Sequence, residues 1–174
     1  THRHLEAYFA IPCSGAILHT INIRLAPEHI VYIINHAEDE ILLIDGDLFP
    51  LVEPALAMLK TVKHVIIMSD DKTVPPSNFP SIHSYEALLD EADENFQFPE
   101  DLDENTPAGM CYTSATTGMP KGVVYTHRSI VLHSLALGLA ESFGIQESDI
   151  ALPIVPMFHV NAWGTPYAAA MVGC

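Results

Sequence analysis

Met110-Cys-Tyr-Thr-Ser-Ala-Thr-Thr-Gly-Met-Pro-Lys-Gly-Val-Val-Tyr-Thr-His-Arg-Ser129 is the stretch on which the fold turns. Met110 to Ser114 reads as a strand and Val123 to Tyr125 as a second one. A helix is expected from about Ser129 to Phe143. Between the strands, nine positions hold four hydroxyl residues (Thr113, Ser114, Thr116 and Thr117), Gly118 and a single lysine, Lys121. That composition suits a triphosphate. Hydroxyls and backbone N–H groups donate to non-bridging oxygens, glycine lets the main chain approach closely, and lysine supplies a point charge. The order differs from the G-x-x-x-x-G-K-[ST] phosphate loop, because Lys121 precedes Gly122 and a strand follows rather than a helix. Hydroxyls alone would fit a surface loop closing a hairpin; the complete ordered string argues for a binding loop.

Upstream, apolar runs alternate with helical segments. Pro27-Glu28 opens a helix running to about His36, with proline at its first position and an acid in its first turn. Ile41-Leu-Leu-Ile44 is a buried strand ending at Asp45-Gly46, and His64-Val-Ile-Ile-Met68 is a second, closed by Ser69-Asp70-Asp71. Leu51 to Leu59 has helical spacing, though Pro50 and Pro54 blur its start. A short helix is expected over Ser84 to Ala92. The fold class that follows is α/β: part of a mainly parallel sheet flanked by helices, with a strand-loop-strand phosphate-binding segment.

Composition narrows the function. The chain has 174 residues, of which 7 are Lys or Arg and 22 are Asp or Glu, a formal net charge of -15. A broad nucleic-acid or anionic-membrane surface needs clustered positive charge and is excluded as an expectation. Nine acids lie between Glu86 and Glu104, and no Lys or Arg occurs from Thr73 to Pro120. The stretch of about 86–104 is therefore expected to be a solvated, linker-like face. Cys13, Cys111 and Cys174 are odd in number and widely spaced, which favours a reducing, cytoplasmic setting over a disulfide framework. Thr1-His2-Arg3-His4 does not open like a signal peptide. Ala151 to Cys174 carries no charge, but its prolines, His159 and Asn161 make it buried core in expectation, not a transmembrane segment. Apolar residues at both ends lead to a further expectation, that 1–174 is a piece of a longer chain.

Tyr112-Thr-Ser-Ala-Thr-Thr-Gly-Met-Pro-Lys-Gly122 resembles the phosphate-binding signature Y-T-S-G-T-T-G-x-P-K-G of the adenylate-forming (AMP-binding) superfamily, departing only at Ala115. Acyl-CoA synthetases, firefly luciferase and peptide-synthetase adenylation domains share that signature. Leu152-Pro-Ile-Val-Pro-Met-Phe-His-Val-Asn-Ala-Trp-Gly164 is similar to a later segment of fatty-acyl-CoA synthetases, and His19-Thr-Ile-Asn-Ile-Arg-Leu25 to a stretch early in their large domain. The resemblance implies that 1–174 is part of the large N-terminal domain of such a ligase, with the C-terminal domain and its catalytic lysine outside these residues. It implies a reaction in two steps, acyl-adenylate formation from a fatty acid and ATP, then thioester formation with coenzyme A.

By the same resemblance, Thr113, Ser114, Ala115, Thr116, Thr117, Gly118 and Lys121 line the nucleotide phosphates, and Thr113 helps hold Mg2+. Lys121 and His159 are the implied catalytic residues. His159 would lie between adenylate phosphate and acyl carboxylate, and Trp163 near the mouth of a fatty-acyl tunnel. Four residues apart, these two would share one face if the segment is helical. A homodimer of the parent is compatible with the resemblance. Aryl- or medium-chain-acid ligases and other adenylation domains are the alternatives within the class, and a non-catalytic nucleotide-binding module is the alternative outside it. Ala115 leaves one question in the loop. Alanine would cost ~1 kcal/mol or more there if a positive φ were needed, and is expected to be harmless at negative φ.

Overall fold

The computed structural model describes residues 1–114 and 118–174. The chain forms two compact units, Thr1–Ile23 with Phe98–Cys174, and Arg24–Gln97.

The second of these units is a parallel α/β layer. Its elements are α2 (Pro27–Ala37), β2 (Ile41–Asp45), α3 (Phe49–Val52), β3 (His64–Met68), β4 (Ile82–Ser84) and α4 (Tyr85–Glu91). Strands run in the order β2-β3-β4, all parallel, with Leu42 opposite Val65 and Ile44 opposite Ile67. Those four side chains are buried, together with Ile33 and Ile34 of α2, Phe49 and Leu56. The alternation arises because successive strand residues point to opposite faces. The expected continuous helix over Leu51 to Leu59 is instead α3 followed by a 3-10 segment, Glu53–Met58. Pro54 cannot donate a backbone hydrogen bond and its ring opposes the carbonyl four residues back, which disfavours a continuous α-helix here. β4 was not expected from the sequence. Three residues are too few for a periodic signal, and pairing with β3 creates the strand. Ser84 then accepts a hydrogen bond from the Ala87 N–H at 3.3 Å and starts α4. Beyond α4, residues 92–106 form neither helix nor strand.

The first-named unit contains α1 (His2–Cys13), β1 (Leu18–Thr20), β5 (Pro107–Tyr112), β6 (Gly122–Thr126), α5 (His127–Leu137), a single turn labelled α6 (Val160–Trp163), and α7 (Thr165–Val172). Its sheet has the order β1-β5-β6, with β1 parallel to β5 and β5 antiparallel to β6. The expected parallel-rich architecture is thus present as two three-stranded sheets. β5 begins three residues earlier than the apolar run suggests and stops at Tyr112, leaving Thr113 and Ser114 to the loop. Helix α5 starts at His127, earlier than Ser129, because Thr126 and Ser129 form a reciprocal capping box across its first turn. It ends at Leu137, well short of Phe143, where Gly138 removes helix propensity. α7 ends at Val172, and Gly173 with a φ of +77° forms its left-handed cap.

Tyr8 is fully buried and donates to the Met157 carbonyl, which ties α1 to the segment ahead of α6. Its ring packs 5.5 Å from that of Tyr167 on α7. The Tyr167 hydroxyl is buried with no hydrogen-bond partner among the described residues. Burial, with a smaller contribution from Cys13, pushes the Tyr167 phenol up to about 12 from 10.0. Burial also raises Tyr8. A folded-state pKa above the unfolded one gives stability that is whole below about pH 10 and lost as the pH rises toward 12. Alkaline titration followed by tyrosinate absorbance is therefore expected to show late, cooperative ionisation of these two rings together with loss of tertiary signal. Ionisation near pH 10 in a chain that stays folded would contradict it.

Candidate functional site

β5 carries the site. At its carboxyl end the chain enters the loop, and the two sides of that loop are joined at the base. The Thr113 N–H donates to the Lys121 carbonyl at 3.0 Å, and the Lys121 N–H donates to Thr113 Oγ1 at 3.3 Å. One lone pair of the Thr113 hydroxyl is used in this way, which leaves its proton and second lone pair for a ligand. Ser114, Gly118 and Lys121 are exposed. Among the described residues no carboxylate forms an ion pair with Lys121, whereas Lys63, Lys72 and Arg128 pair with Glu40, Asp90 and Glu104. Gly118 has a φ of +85° with open space where a Cβ would stand. At Gly122 an added Cβ would lie 3.1 Å from the Tyr112 ring, so glycine lets that ring close over the loop's base. Ala115, Thr116 and Thr117 lie outside the described residues, and with them the question of the backbone at Ala115.

His159 stands just ahead of α6 and Trp163 ends it, and here the structure corrects a helical expectation. His159 is extended (φ -96°, ψ 107°), and Val160, Asn161, Ala162 and Trp163 all have φ between +48° and +58°. The turn is left-handed, so the two side chains do not share a face of a right-handed helix. A left-handed run costs about 1–2 kcal/mol per non-glycine residue, and it persists only where tertiary contacts outweigh that cost. Those contacts are identifiable. Thr20 on β1 donates through Oγ1 to Asn161 Oδ1 at 3.0 Å, both residues being buried. Gly109 on β5 makes room for the Asn161 amide, since a Cβ there would sit 3.2 Å from Nδ2. His133 on α5 donates from Nε2 to the Trp163 carbonyl at 2.9 Å. Gly164, at φ +70°, continues the turn into α7, and its missing side chain accommodates the His133 ring.

β5 thus holds the hydroxyl-lysine loop at its end and the left-handed turn against Gly109, four residues from Thr113. His159 and Trp163 are both exposed, Trp163 at 50%, with the Phe143 ring 6.4 Å from the indole. Sequence reasoning missed Thr20, Gly109 and His133 as the groups that position this turn. Asn161 had one signal, being the non-glycine residue type that best tolerates a left-handed backbone. The other three act through contacts far away in the chain.

Comparison with known proteins decides the family. Residues 1–174 match the AMP-binding enzyme family along their whole length. The chain belongs to that family. Over 171 residues it is 54% identical to a long-chain-fatty-acid–CoA ligase of Thermus thermophilus, covering 98% of this chain and 30% of that protein. It is 47% identical over 171 residues to a medium-chain-fatty-acid–CoA ligase of Ectopseudomonas oleovorans, covering 98% of this chain and 31% of the relative. A crystal structure of a long-chain-fatty-acid–CoA ligase from Archaeoglobus fulgidus superposes with a TM-score of 0.82 at 25% identity, over 99% of this chain and 32% of that one. This stretch of an AMP-binding enzyme therefore spans about a third of the length of such relatives.

Proposed function

We propose that residues 1–174 belong to the large N-terminal domain of an ATP-dependent fatty acid–CoA ligase, whose remaining domain lies outside this stretch. The observation that carries the proposal is the loop clamped between Thr113 and Lys121, standing in a chain 54% identical to a long-chain ligase. In the first step a fatty-acid carboxylate oxygen attacks the α-phosphorus of ATP, and the bond to pyrophosphate breaks. Lys121, without a carboxylate partner among the described residues, supplies positive charge to the departing phosphates. Thr113, Ser114, Thr116, Thr117 and Gly118 supply hydroxyl and backbone donors to their oxygens. His159 holds the junction of adenylate phosphate and acyl carboxylate. In the second step the sulfur of coenzyme A bonds to the acyl carbon and AMP leaves.

Mg2+ suits this donor set in one manner. The Thr113 hydroxyl is a hard oxygen with a spare lone pair, and among the described residues no group of three His, Cys, Asp or Glu could hold a metal. Such a set fits an ion arriving on the nucleotide's own phosphates, held on the protein side by Thr113. When bound, it would neutralise phosphate charge. The proposed setting is cytoplasmic, in keeping with three free cysteines, and a homodimer of the parent is part of the same reading. No helix among the described residues is long and apolar enough to cross a membrane.

Acid-dependent exchange of pyrophosphate into ATP by the full-length parent, run with a panel of acids, tests the proposal. Exchange driven by fatty acids supports it, and ATP binding with no exchange for any acid would leave a nucleotide-binding module in its place. Trp163 gives a sharper test. Trp163→Ala in the parent is expected to change acid preference and the KM for long acids more than adenylation of a short acid, because the half-exposed indole would govern access rather than chemistry. An unchanged specificity profile with a large fall in Tm would make it a packing residue instead.

A further inference from the structure

The left-handed turn fixes the backbone of Trp163 but not its ring. His133 Nε2 donates to the Trp163 carbonyl at 2.9 Å, and the next residue, Gly164, donates its N–H to the Asn161 carbonyl at 2.9 Å. Neither bond reaches the indole. Among the described residues the ring in contact with the indole is that of Phe143, with centroids 6.4 Å apart and planes inclined at 34°. That spacing lies within the attractive range of aromatic pairs, roughly 4.5–7 Å. Phe143 is presented by a closed turn beyond α5, in which the Ser142 and Gly144 N–H groups both donate to the Leu139 carbonyl, at 2.9 and 3.1 Å. Neither ring belongs to the core, since Phe143 is 54% exposed and Trp163 50%. Burial therefore does not account for the pair.

We infer that Phe143 is a positioning residue for the Trp163 indole and, through it, a determinant of which acids the ligase accepts. This rests on the reading of Trp163 as standing at the acyl entrance, and it adds a residue which that reading does not contain. An indole anchored only through its backbone can turn about its side-chain bonds among a few staggered positions. A ring packed beside it favours the observed position over the others. An acid long enough to displace the indole must first part the two rings, whereas a short acid that does not reach the indole leaves them together. The contact thus weighs on chain length rather than on the chemistry at the carboxylate. His133 and Phe143 divide the task, one holding the main chain of residue 163 from α5 and the other its side chain from the turn beyond that helix.

The test is a double-mutant cycle in the full-length parent, read as the ratio of kcat/KM for a long-chain over a short-chain fatty acid. Phe143→Leu is expected to move this ratio in the same direction as Trp163→Ala, by about two- to tenfold and mainly through KM. Phe143→Tyr, which keeps the ring, should restore the wild-type ratio. Phe143→Leu added to Trp163→Ala should change nothing further, because a residue that acts through the indole has no effect without it. Fluorine NMR of the fluorotryptophan-labelled parent supplies a readout independent of activity. The resonance missing from Trp163→Ala belongs to Trp163, and Phe143→Leu should shift it. Melting curves check that each variant is folded. A wild-type ratio and an unmoved resonance in Phe143→Leu, beside an altered ratio in Trp163→Ala, would overturn the role of Phe143 and leave the reading of Trp163 standing. Full additivity in the double variant would overturn it as well. An unchanged ratio in Trp163→Ala would instead remove the reading of Trp163, and the inference with it.

Discussion

Lys121→Ala in the full-length parent is expected to slow acyl-adenylate formation by roughly one to two decades while Tm stays almost unchanged. The side chain is exposed and forms no ion pair among the described residues, so its removal leaves neither a cavity nor an orphaned carboxylate. What disappears is a charge-assisted contact to phosphate, worth ~1.5–3 kcal/mol. At about 1.4 kcal/mol per tenfold this gives the stated rate loss. The backbone clamp to Thr113 survives the substitution because it uses only the main chain of residue 121. Rapid-quench measurement of adenylate beside a melting curve checks the result. A large fall in Tm with a normal residual rate would mean that Lys121 holds the loop together and does not serve the phosphates.

Gly164→Ala is the second large effect, and it falls on stability. At φ +70° alanine costs about 1–2 kcal/mol. Its Cβ would also stand 2.7 Å from His133 Cδ2, a distance that real Cβ atoms essentially never show. The ring must move, breaking the 2.9 Å bond from His133 Nε2 to the Trp163 carbonyl, for a further ~0.5–1.5 kcal/mol. The sum is on the order of 1.5–3.5 kcal/mol. Gly173→Ala is the control, since Gly173 has a similar φ of +77° and nothing within 4 Å of an added Cβ. Gly164→Ala should destabilise clearly more than Gly173→Ala in denaturant unfolding, and should also reduce acid-dependent exchange, because α6 follows His159 and ends on Trp163. Equal losses in the two variants would show that His133 yields freely and that α6 is not held from that side.

How far the sequence alone carried the structure can be argued element by element. Strand His64–Met68 was read with its observed ends and Ile41–Asp45 to within a residue, because buried parallel strands are continuous apolar runs bounded by turn residues. Helix α2 began where Pro27 and Glu28 placed it. The strand-loop-strand segment was legible from residue chemistry in order, hydroxyls, glycine and lysine between two apolar runs, and β5 and β6 pair as the two strands. These features depend on neighbours within about ten positions.

The tertiary structure decided the rest. β1 and β4 are three residues each, and β1 becomes a strand by pairing with β5, some ninety positions away. The split of the strands into two sheets likewise lies beyond any local pattern. The handedness of α6 is the clearest case. Local sterics favour a right-handed turn for Val160 to Trp163, and four positive φ angles oppose that preference. The balance is reversed by a buried hydrogen bond from Thr20, 141 positions away, by the space at Gly109 and by the His133 bond to Trp163. Local chemistry therefore determined the strands and the order of hydroxyls, glycine and lysine between them. The direction in which His159 and Trp163 face was decided by contacts distant in sequence, since only those can outweigh a backbone cost paid at every residue of the turn.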